Sequence, residues 1–218
     1  LEQAVSILKN NGLVAVQTDT VYGLAISSHR DENYRKLAEV KNRPEGKPFP
    51  LMLSSIEEAE KYLKITSRDR FLMKRFMPGP ITLILNRKED IFPFLGEQKT
   101  LGIRVAKDPW LQKLIEKNGS PIWLPSANLS NHPTALNHEM VLEQLSGKID
   151  AVLEGTAPGG VASTVVDLSS DDIQILREGP ISEKQIKEAL AMRKIALACD
   201  HGAFEQKEMI KKYLIEEG

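Results

Sequence analysis

The sequence predicts an α/β fold, in which helices flank a twisted open sheet of mixed strand direction around a basic cleft. Short apolar segments alternate with segments of helical periodicity along the 218 residues, and the connections are short. Several apolar segments end in hydroxyl, amide or cationic side chains, which is typical of a binding cleft. With 41% hydrophobic residues, the chain can bury one substantial core.

Helices are predicted where apolar spacing coincides with capping signals. The predicted helices begin near Leu1, Asp31, Ser55, Ser67, Pro109, Asn137 and Ser182. Asp31 is the predicted N-cap of the second helix. Ser55 and Glu58 form a capping-box pattern, and Ser182 and Gln185 repeat it. These segments supply the flanking helices of the predicted fold.

Strands are predicted at short apolar runs bounded by turn residues. They cover residues 13–16, 49–53, 81–85, 101–105, 122–124, 151–153, 163–167 and 173–177. The octet Gln-Thr-Asp-Thr-Val-Tyr-Gly-Leu at 17–24 is predicted as a loop on the floor of the cleft, with a simple polar turn as the alternative. Pro44 disfavours helix at the residue before it, so residues 41–48 form a second predicted loop.

The charge balance argues neither for nor against a nucleic-acid partner, because 29 cationic residues face 30 acidic ones. One region is locally basic and contains a single acid, Asp69. Its cations are Lys61, Lys64, Arg68, Arg70, Lys74, Arg75, Arg87 and Lys88. This basic region is either a solvated helix face or an anion-facing surface that contacts RNA.

The single cysteine, Cys199, excludes an internal disulfide and a multi-cysteine zinc site, and it fits a reducing compartment. No apolar run approaches the roughly 20 residues that span a bilayer, and no signal peptide opens the chain. We therefore expect a cytoplasmic protein with no membrane partner.

Cations and small hydroxyls recur in the predicted loops. The cations are Lys41, Arg43, Lys47, Arg104 and Arg177, and the hydroxyl and amide groups belong to Thr18, Thr20, Ser126, Asn128, Ser163 and Thr164. Such groups together favour a ligand with several negative charges.

Each group also has a simpler interpretation. Arg104 is alternatively an edge-strand residue that extends to water, and residues 126–128 a Ser/Asx turn. Lys41 and Arg43 alternatively stand at a solvated helix end.

Other chemistries lack their motifs. There is no Gly-x4-Gly-Lys-Ser/Thr loop, no Gly-x-Gly-x-x-Gly turn and no Gly-x-Ser-x-Gly elbow. The four histidines have no metal-ligand spacing, so we expect no metal site made by protein ligands alone.

Seven motifs follow one another along the chain. They are Thr-Asp-Thr-Val-Tyr-Gly-Leu at 18–24, Lys-x-Arg-Pro at 41–44, Pro-Gly-Pro-x-Thr at 78–82, Gly-Ile-Arg-Val at 102–105, Ser-Ala-Asn-Leu-Ser at 126–130, Ser-Thr-Val-Val-Asp at 163–167 and Arg-x-Gly at 177–179. Together they resemble the YrdC-type threonylcarbamoyl-adenylate synthases, in the same order, over residues 1–190. The resemblance implies a YrdC-like domain over this range.

The resemblance also implies a reaction, in which L-threonine, bicarbonate and ATP give threonylcarbamoyl-AMP and pyrophosphate for the modification of adenosine in tRNA. ATP is then a substrate, with Mg²⁺ on its phosphates. Contact with tRNA on the basic region, and partner enzymes of tRNA modification, are further expectations. Positioning and charge neutralisation suffice for such a reaction, which needs no covalent nucleophile.

The resemblance assigns roles to nine residues. Lys41, Arg43, Ser126 and Asn128 hold the nucleotide phosphates, Ser163 and Arg177 act at the AMP end, and Thr20, Tyr22 and Arg104 surround threonine, with Arg104 on its carboxylate. Lys41, Arg43 and Arg104 are the expected catalytic residues.

The chain departs from the resemblance at three positions. Pro125 replaces a frequent threonine, Asn131 a usual glycine, and Met52 a frequent histidine. The details of the threonine pocket are therefore left open.

The segment 192–205 resembles the opening strand, loop and helix of type B ribose-5-phosphate isomerases, with Asp200 and His201 at their sugar-phosphate site. Gly202-Ala203 is transposed relative to that family, and the catalytic loops are absent. We therefore predict that residues 191–218 form an incomplete strand–helix appendage without isomerase activity.

Two rival functions remain at this point. One is a paralogue of the same fold that binds RNA or makes a different carbamoyl adenylate. The other is a non-catalytic RNA-binding module that uses the basic region.

Overall fold

The computed structural model describes residues 1–43, 48–191 and 201–217. Within these ranges the helices are α1 (Glu2–Lys9), α2 (Asp31–Val40), α3 (Ser67–Phe76), α4 (Pro109–Asn118), α5 (His138–Leu145), α6 (Glu183–Ala191) and α7 (Phe204–Glu217). The strands are β1 (Val14–Val16), β2 (Gly23–Ser27), β3 (Leu51–Met52), β4 (Ile81–Asn86), β5 (Thr100–Arg104), β6 (Ile122–Trp123), β7 (Ala151–Val152), β8 (Thr164–Asp167) and β9 (Gln174–Arg177).

These strands form one sheet with the order β7-β1-β2-β6-β3-β5-β4-β8-β9. The pairs β1–β7, β3–β5 and β4–β8 are parallel, and the other neighbours are antiparallel. The predicted open sheet of mixed direction is therefore confirmed.

A hydrophobic cluster lies on each face of the sheet. Successive side chains of a strand point to opposite faces, and in β1 the side chain of Ala15 enters one hydrophobic cluster while Val14 and Val16 enter the other. Helices α1 and α4 cover the second face, and α2, α3, α5 and α6 cover the first. Strands buried on both sides are apolar throughout, which explains why the central segments show no alternation.

The prediction missed strand β2. All five of its residues are buried, and it pairs antiparallel with β1, so Gly23 and Leu24 belong to a strand and not to the predicted loop. The polar residues before it obscured the apolar run, and no turn signal marks its start. The intervening residues 17–22 therefore connect two adjacent strands.

Two predicted helix starts were wrong in detail. The segment near Ser55 is a 3-10 helix at Glu57–Lys61, and Glu58 accepts hydrogen bonds from the main-chain and side-chain donors of Ser54. The N-cap of α2 is Arg30, and Asp31 is its first helical residue. The capping box of Ser182 and Gln185 is confirmed by reciprocal hydrogen bonds of 2.9 and 3.2 Å.

Helix α7 forms at the C-terminal end of the described chain and contacts α3. The predicted strand at 195–199 lies outside the described residues, as do Asp200 and the loop residue Lys47. The division into residues 1–190 and 191–218 therefore stays a prediction.

Candidate functional site

A cavity of about 300 Å³ lies over one face of the sheet. Alternate residues of β4, β5 and β8 line it, and these are Thr82, Ile84, Thr100, Gly102, Arg104, Val165 and Asp167. Seven of the nine predicted site residues line it. They are Thr20, Tyr22, Arg43, Arg104, Ser126, Ser163 and Arg177. Two predicted residues, Lys41 and Asn128, are not part of its wall. The structure therefore brings most of the predicted set to one hollow.

The connection between β1 and β2 is organised by Thr18. Its hydroxyl donates to the carbonyl of Val21 at 2.7 Å and accepts from the main-chain N–H of Thr20 at 3.1 Å. The hydroxyls of Thr18 and Thr20 are 2.9 Å apart. This local network holds both threonines at the cavity wall.

Arg104 extends from the central strand β5, so the edge-strand interpretation is wrong. Its side chain is 7% exposed and donates to Asp19 Oδ1 at 2.5 Å, to Thr20 Oγ1 at 2.8 Å and to the carbonyl of Gly79 at 3.1 Å. Burial lowers the pKa of Arg104, and the Asp19 carboxylate counteracts this effect. The guanidinium is thus held by three acceptors at the cavity wall.

Arg43 is held by an aromatic ring and a carbonyl. Its guanidinium lies 5.0 Å from the centroid of the Phe49 ring and donates to the carbonyl of Pro48 at 2.8 Å. Phe49 packs edge-on against Tyr34. Burial lowers the pKa of Arg43. Arg43 therefore presents a cation to the cavity on a rigid aromatic support.

Lys41 is buried away from the cavity wall. Its ammonium donates to the main-chain carbonyls of Ser126 and Asn128, and the N–H of Ser130 donates to the carbonyl of Lys41 at 2.8 Å. These bonds join the end of α2 to residues 126–130. Neither the solvated helix end nor direct exposure to a ligand describes Lys41 here, because the residue is 1% exposed.

Asn128 organises the turn that follows Ser126. Its amide nitrogen donates to the carbonyls of Leu129 and His132, both at 2.8 Å. Its side-chain oxygen is buried and has no hydrogen-bond partner among the described residues. Asn128 thus shapes the loop that carries Ser126 into the cavity wall.

Ser163 and Arg177 meet at the β8–β9 end of the sheet. The Arg177 guanidinium donates to the carbonyl of Ser163 at 3.0 Å and to its hydroxyl at 3.3 Å, and Thr82 Oγ1 lies 2.9 Å from the same hydroxyl. Burial lowers the pKa of Arg177. The buried Thr164 hydroxyl joins the turn after β9 to β8 through the carbonyl of Ile181 at 2.7 Å.

A glycine brings the loop 155–162 onto the Thr18–Tyr22 segment. A Cβ atom at Gly159 would lie 2.4 Å from the carbonyl oxygen of Asp19 and 2.7 Å from the Cα of Thr20. The Tyr22 hydroxyl donates to the carbonyl of Leu153 at 2.8 Å, just before this loop. Burial raises the pKa of Tyr22. The loop approaches this segment closely because glycine has no side chain, and Ala162 of the same loop lines the cavity.

Sequence reasoning missed several residues of the site. Asp19, Thr18 and Thr82 were noted in motifs, but their hydrogen bonds to the predicted residues were not foreseen. Met52 lines the cavity at the position where the resemblance showed a departure. The motifs themselves could have identified these residues, because each missed hydroxyl or carboxylate lies within one of the quoted motifs.

The cavity wall is electropositive. Among its described lining residues, three are cationic (Arg43, Arg104 and Arg177), and Asp167 supplies the one carboxylate. The described part of the chain holds no cluster of three or more His, Cys, Asp or Glu side chains that would bind a metal. This charge distribution suits an anionic ligand.

Several cations of the basic region make contacts within their own fold. Arg70 pairs with Glu60, Lys64 lies 3.2 Å from Glu89, and Arg68 donates to the carbonyl of Leu168 at 2.7 Å. Arg87 is buried and donates to main-chain carbonyls of residues 89–98. Much of this cationic charge therefore serves intramolecular contacts.

None of the helices in the described ranges has the length and apolar composition required to cross a bilayer.

Comparison with known proteins identifies relatives over most of the chain. The chain is 34% identical over 212 residues to the threonylcarbamoyl-AMP synthase of Bacillus subtilis, and the matched region covers 95% of this chain and 60% of that protein. It is 33% identical over 212 residues to the human threonylcarbamoyl-AMP synthase, covering 94% of this chain and 75% of that protein. The chain thus spans less than two thirds of the length of the Bacillus protein.

A solved structure shows the same fold. The Pyrococcus abyssi Sua5 protein, crystallised with L-threonine, superposes with a TM-score of 0.82 at 33% identity, covering 86% of this chain and 56% of that one. The profile of the Sua5/yciO/yrdC family, which is described as "Telomere recombination", matches residues 6–179. The chain therefore belongs to the Sua5/YciO/YrdC family.

Proposed function

We propose that this chain is a threonylcarbamoyl-AMP synthase, which converts L-threonine, bicarbonate and ATP into threonylcarbamoyl-AMP and pyrophosphate for the modification of adenosine in tRNA. The observation that carries the proposal is the convergence of Arg43, Arg104 and Arg177 on one cavity with small hydroxyls. The printed names of the relatives and the threonine complex of the Pyrococcus protein support it.

The proposed chemistry proceeds by positioning. The amine of threonine displaces water from bicarbonate to form a carbamate, and a carbamate oxygen attacks the α-phosphorus of ATP while pyrophosphate leaves. All three reactants carry negatively charged groups, which repel one another in a shared site. The three guanidinium groups reduce this repulsion and hold the reacting atoms together.

The residues take the following proposed roles. Arg43, Ser126 and Asn128 serve the phosphates, Ser163 and Arg177 the AMP end, and Thr20, Tyr22 and Arg104 the threonine. For Lys41 we propose an indirect role, because its ammonium is occupied by the carbonyls of Ser126 and Asn128. It positions the 126–130 loop and does not present its charge to a phosphate.

Mg²⁺ is proposed as a companion of ATP. Protein-bound Mg²⁺ commonly uses one or two carboxylates together with substrate phosphates, and Asp167 offers one half-buried carboxylate at the cavity. The residues present therefore fit a phosphate-carried ion held by Asp167. When bound, the ion would neutralise charge on the phosphates.

The decisive assay is pyrophosphate release from ATP. We expect release only when both threonine and bicarbonate are present. Release without threonine would identify a paralogue that makes another adenylate. No release, together with RNA binding that weakens steeply with salt, would identify the RNA-binding module.

Two variants test the proposed phosphate residues. We expect Arg43→Ala and Asn128→Ala each to abolish product formation while circular dichroism melts show a folded protein. Arg30→Ala, which removes an exposed arginine, is the matched control and should retain activity. Turnover at the wild-type rate in either test variant would remove that residue from the site.

A cytoplasmic location, contact with tRNA and transfer of the product to a partner enzyme are parts of the same proposal. For residues 191–218, we propose only an appendage without isomerase activity. Isomerisation of ribose 5-phosphate by the purified chain would contradict it.

A further inference from the structure

The Thr18–Thr20 network has a defined direction of proton donation. A hydroxyl has one proton to donate and two lone pairs to accept with. The carbonyl of Val21 cannot donate, so the 2.7 Å bond consumes the only hydroxyl proton of Thr18. In the 2.9 Å contact between the two hydroxyls, Thr20 is therefore the donor.

The Thr20 hydroxyl consequently has no proton left for a ligand. Its oxygen already accepts from Arg104 Nη1 at 2.8 Å, so one lone pair remains. Thr18 is saturated, because its oxygen also accepts from the main-chain N–H of Thr20 at 3.1 Å. Thr20 is buried and lines the cavity, so this lone pair is available only to a group in the cavity.

The Tyr22 hydroxyl also donates its proton within the protein. This proton is consumed by the carbonyl of Leu153 at 2.8 Å, and the residue also lines the cavity. Both hydroxyl protons are thus consumed within the protein, and toward a ligand both hydroxyls act as acceptors. A carboxylate oxygen carries no proton at neutral pH and cannot bind these hydroxyls without breaking the network.

We infer that Thr18 is a positioning residue that makes Thr20 the acceptor for the α-amino group of the amino-acid substrate, while Arg104 takes its carboxylate. This inference rests on the proposed function. The α-amine of an amino acid is two bonds from its carboxyl carbon, and Thr20 Oγ1 is 2.8 Å from Arg104 Nη1. A carboxylate on Arg104 therefore brings its own amine within reach of Thr20.

The inference is tested by calorimetric titration of three probe ligands. L-Threonine has both amine and side-chain hydroxyl, L-2-aminobutyrate lacks the hydroxyl, and (R)-3-hydroxybutyrate lacks the amine. Wild-type protein should bind the two amines at least about tenfold more tightly than the deaminated acid, as expected for a hydrogen bond to a charged group.

Thr18→Val removes the acceptor of the Thr20 proton with little change in shape, so that proton becomes free to face the ligand. We expect binding of both amines to weaken about tenfold and binding of (R)-3-hydroxybutyrate to stay unchanged. Thr18→Ser retains the network and should restore the preference for amines. Because the readout is a ratio of affinities in one variant, partial unfolding does not alter it.

Three outcomes overturn the inference. If Thr18→Val still prefers the amines over (R)-3-hydroxybutyrate as strongly as wild type does, the inference is wrong and the proposed function is unaffected. The same holds if Thr18→Val leaves the affinity for L-2-aminobutyrate unchanged, a result that would place the substrate hydroxyl at Thr20. Wild-type protein that binds none of the probes overturns the inference together with the proposed function.

Discussion

The ammonium group of Lys41 lies 2.5 Å from the main-chain carbonyl oxygen of Ser126 and also donates to the carbonyl of Asn128. Ser130 returns a main-chain hydrogen bond to Lys41. Helix α2 and the 126–130 loop are thereby joined by one buried side chain. Lys41 thus affects the cavity through the backbone of the loop that carries Ser126.

Lys41→Met should destabilise the protein as well as inactivate it. The substitution leaves two buried carbonyls without donors, and we expect the free energy of unfolding to fall by about 2–4 kcal/mol. Urea denaturation of the ligand-free protein measures this change. Lys113→Met, at an exposed position of α4, is the control and should change stability little. An inactive Lys41→Met variant with wild-type stability would instead indicate direct contact with the ligand.

The stability contributed by position 41 should depend on pH. Burial, with a smaller effect of Arg43, lowers the pKa of Lys41 from 10.5 to about 7. Between these values the unfolded chain binds a proton that the folded protein does not, so stability rises with pH across this window. A neutral amine still has two N–H groups, enough for both carbonyls.

The measurement compares the unfolding free energies of wild type and Lys41→Met at several pH values, because other titrating groups then cancel. The difference should increase between pH 7 and 10.5 by at most about 1.4 kcal/mol per pH unit and level off below pH 7. A difference that is flat over the whole window would contradict the lowered pKa.

Asp19→Asn should weaken threonine binding. Asp19 holds Arg104 at 2.5 Å and accepts the main-chain N–H of Lys107 at 3.2 Å, so it fixes the guanidinium between two loops. Loss of its charge should raise the KM for threonine about tenfold, as for a lost charged hydrogen bond, while kcat at saturation is largely retained.

Asp31→Asn, which breaks an exposed ion pair with Arg35, is the control for this measurement and should leave the KM unchanged. A lower KM in Asp19→Asn would mean that Asp19 competes with the substrate for Arg104.

Gly159→Ala should displace the loop 155–162. The added methyl group would lie 2.4 Å from the carbonyl oxygen of Asp19, so the backbone must move. We expect threonine affinity to fall at least about tenfold, as when a binding geometry is misplaced. Gly160→Ala is the matched control at the neighbouring position. The φ of 67° at Gly160 makes an alanine there strained, but its methyl group would enter open space. Equal affinities in the two variants would show that the close approach of the loop is unimportant.

Much of the fold was predictable because its signals are local. The helices at Ser67–Phe76 and Pro109–Asn118 begin where they were predicted to begin, because a capping residue precedes the first and a proline opens the second. Strand β2 was missed because its residues are buried on both faces and follow a polar stretch. The predicted helix start at Ser55 was wrong because Ser54, and not Ser55, donates hydrogen bonds to Glu58.

The sequence alone determined the α/β class, the order of most elements and seven of the residues that line the cavity, because motif spacing and periodicity are properties of neighbouring positions. Only the tertiary structure decided what each side chain does there. Lys41 and Ser126 are 85 positions apart, and Arg104 and Thr20 are 84 apart. Whether a cation faces a ligand or a carbonyl of its own chain depends on such distant contacts, which form only when the sheet and its flanking helices assemble.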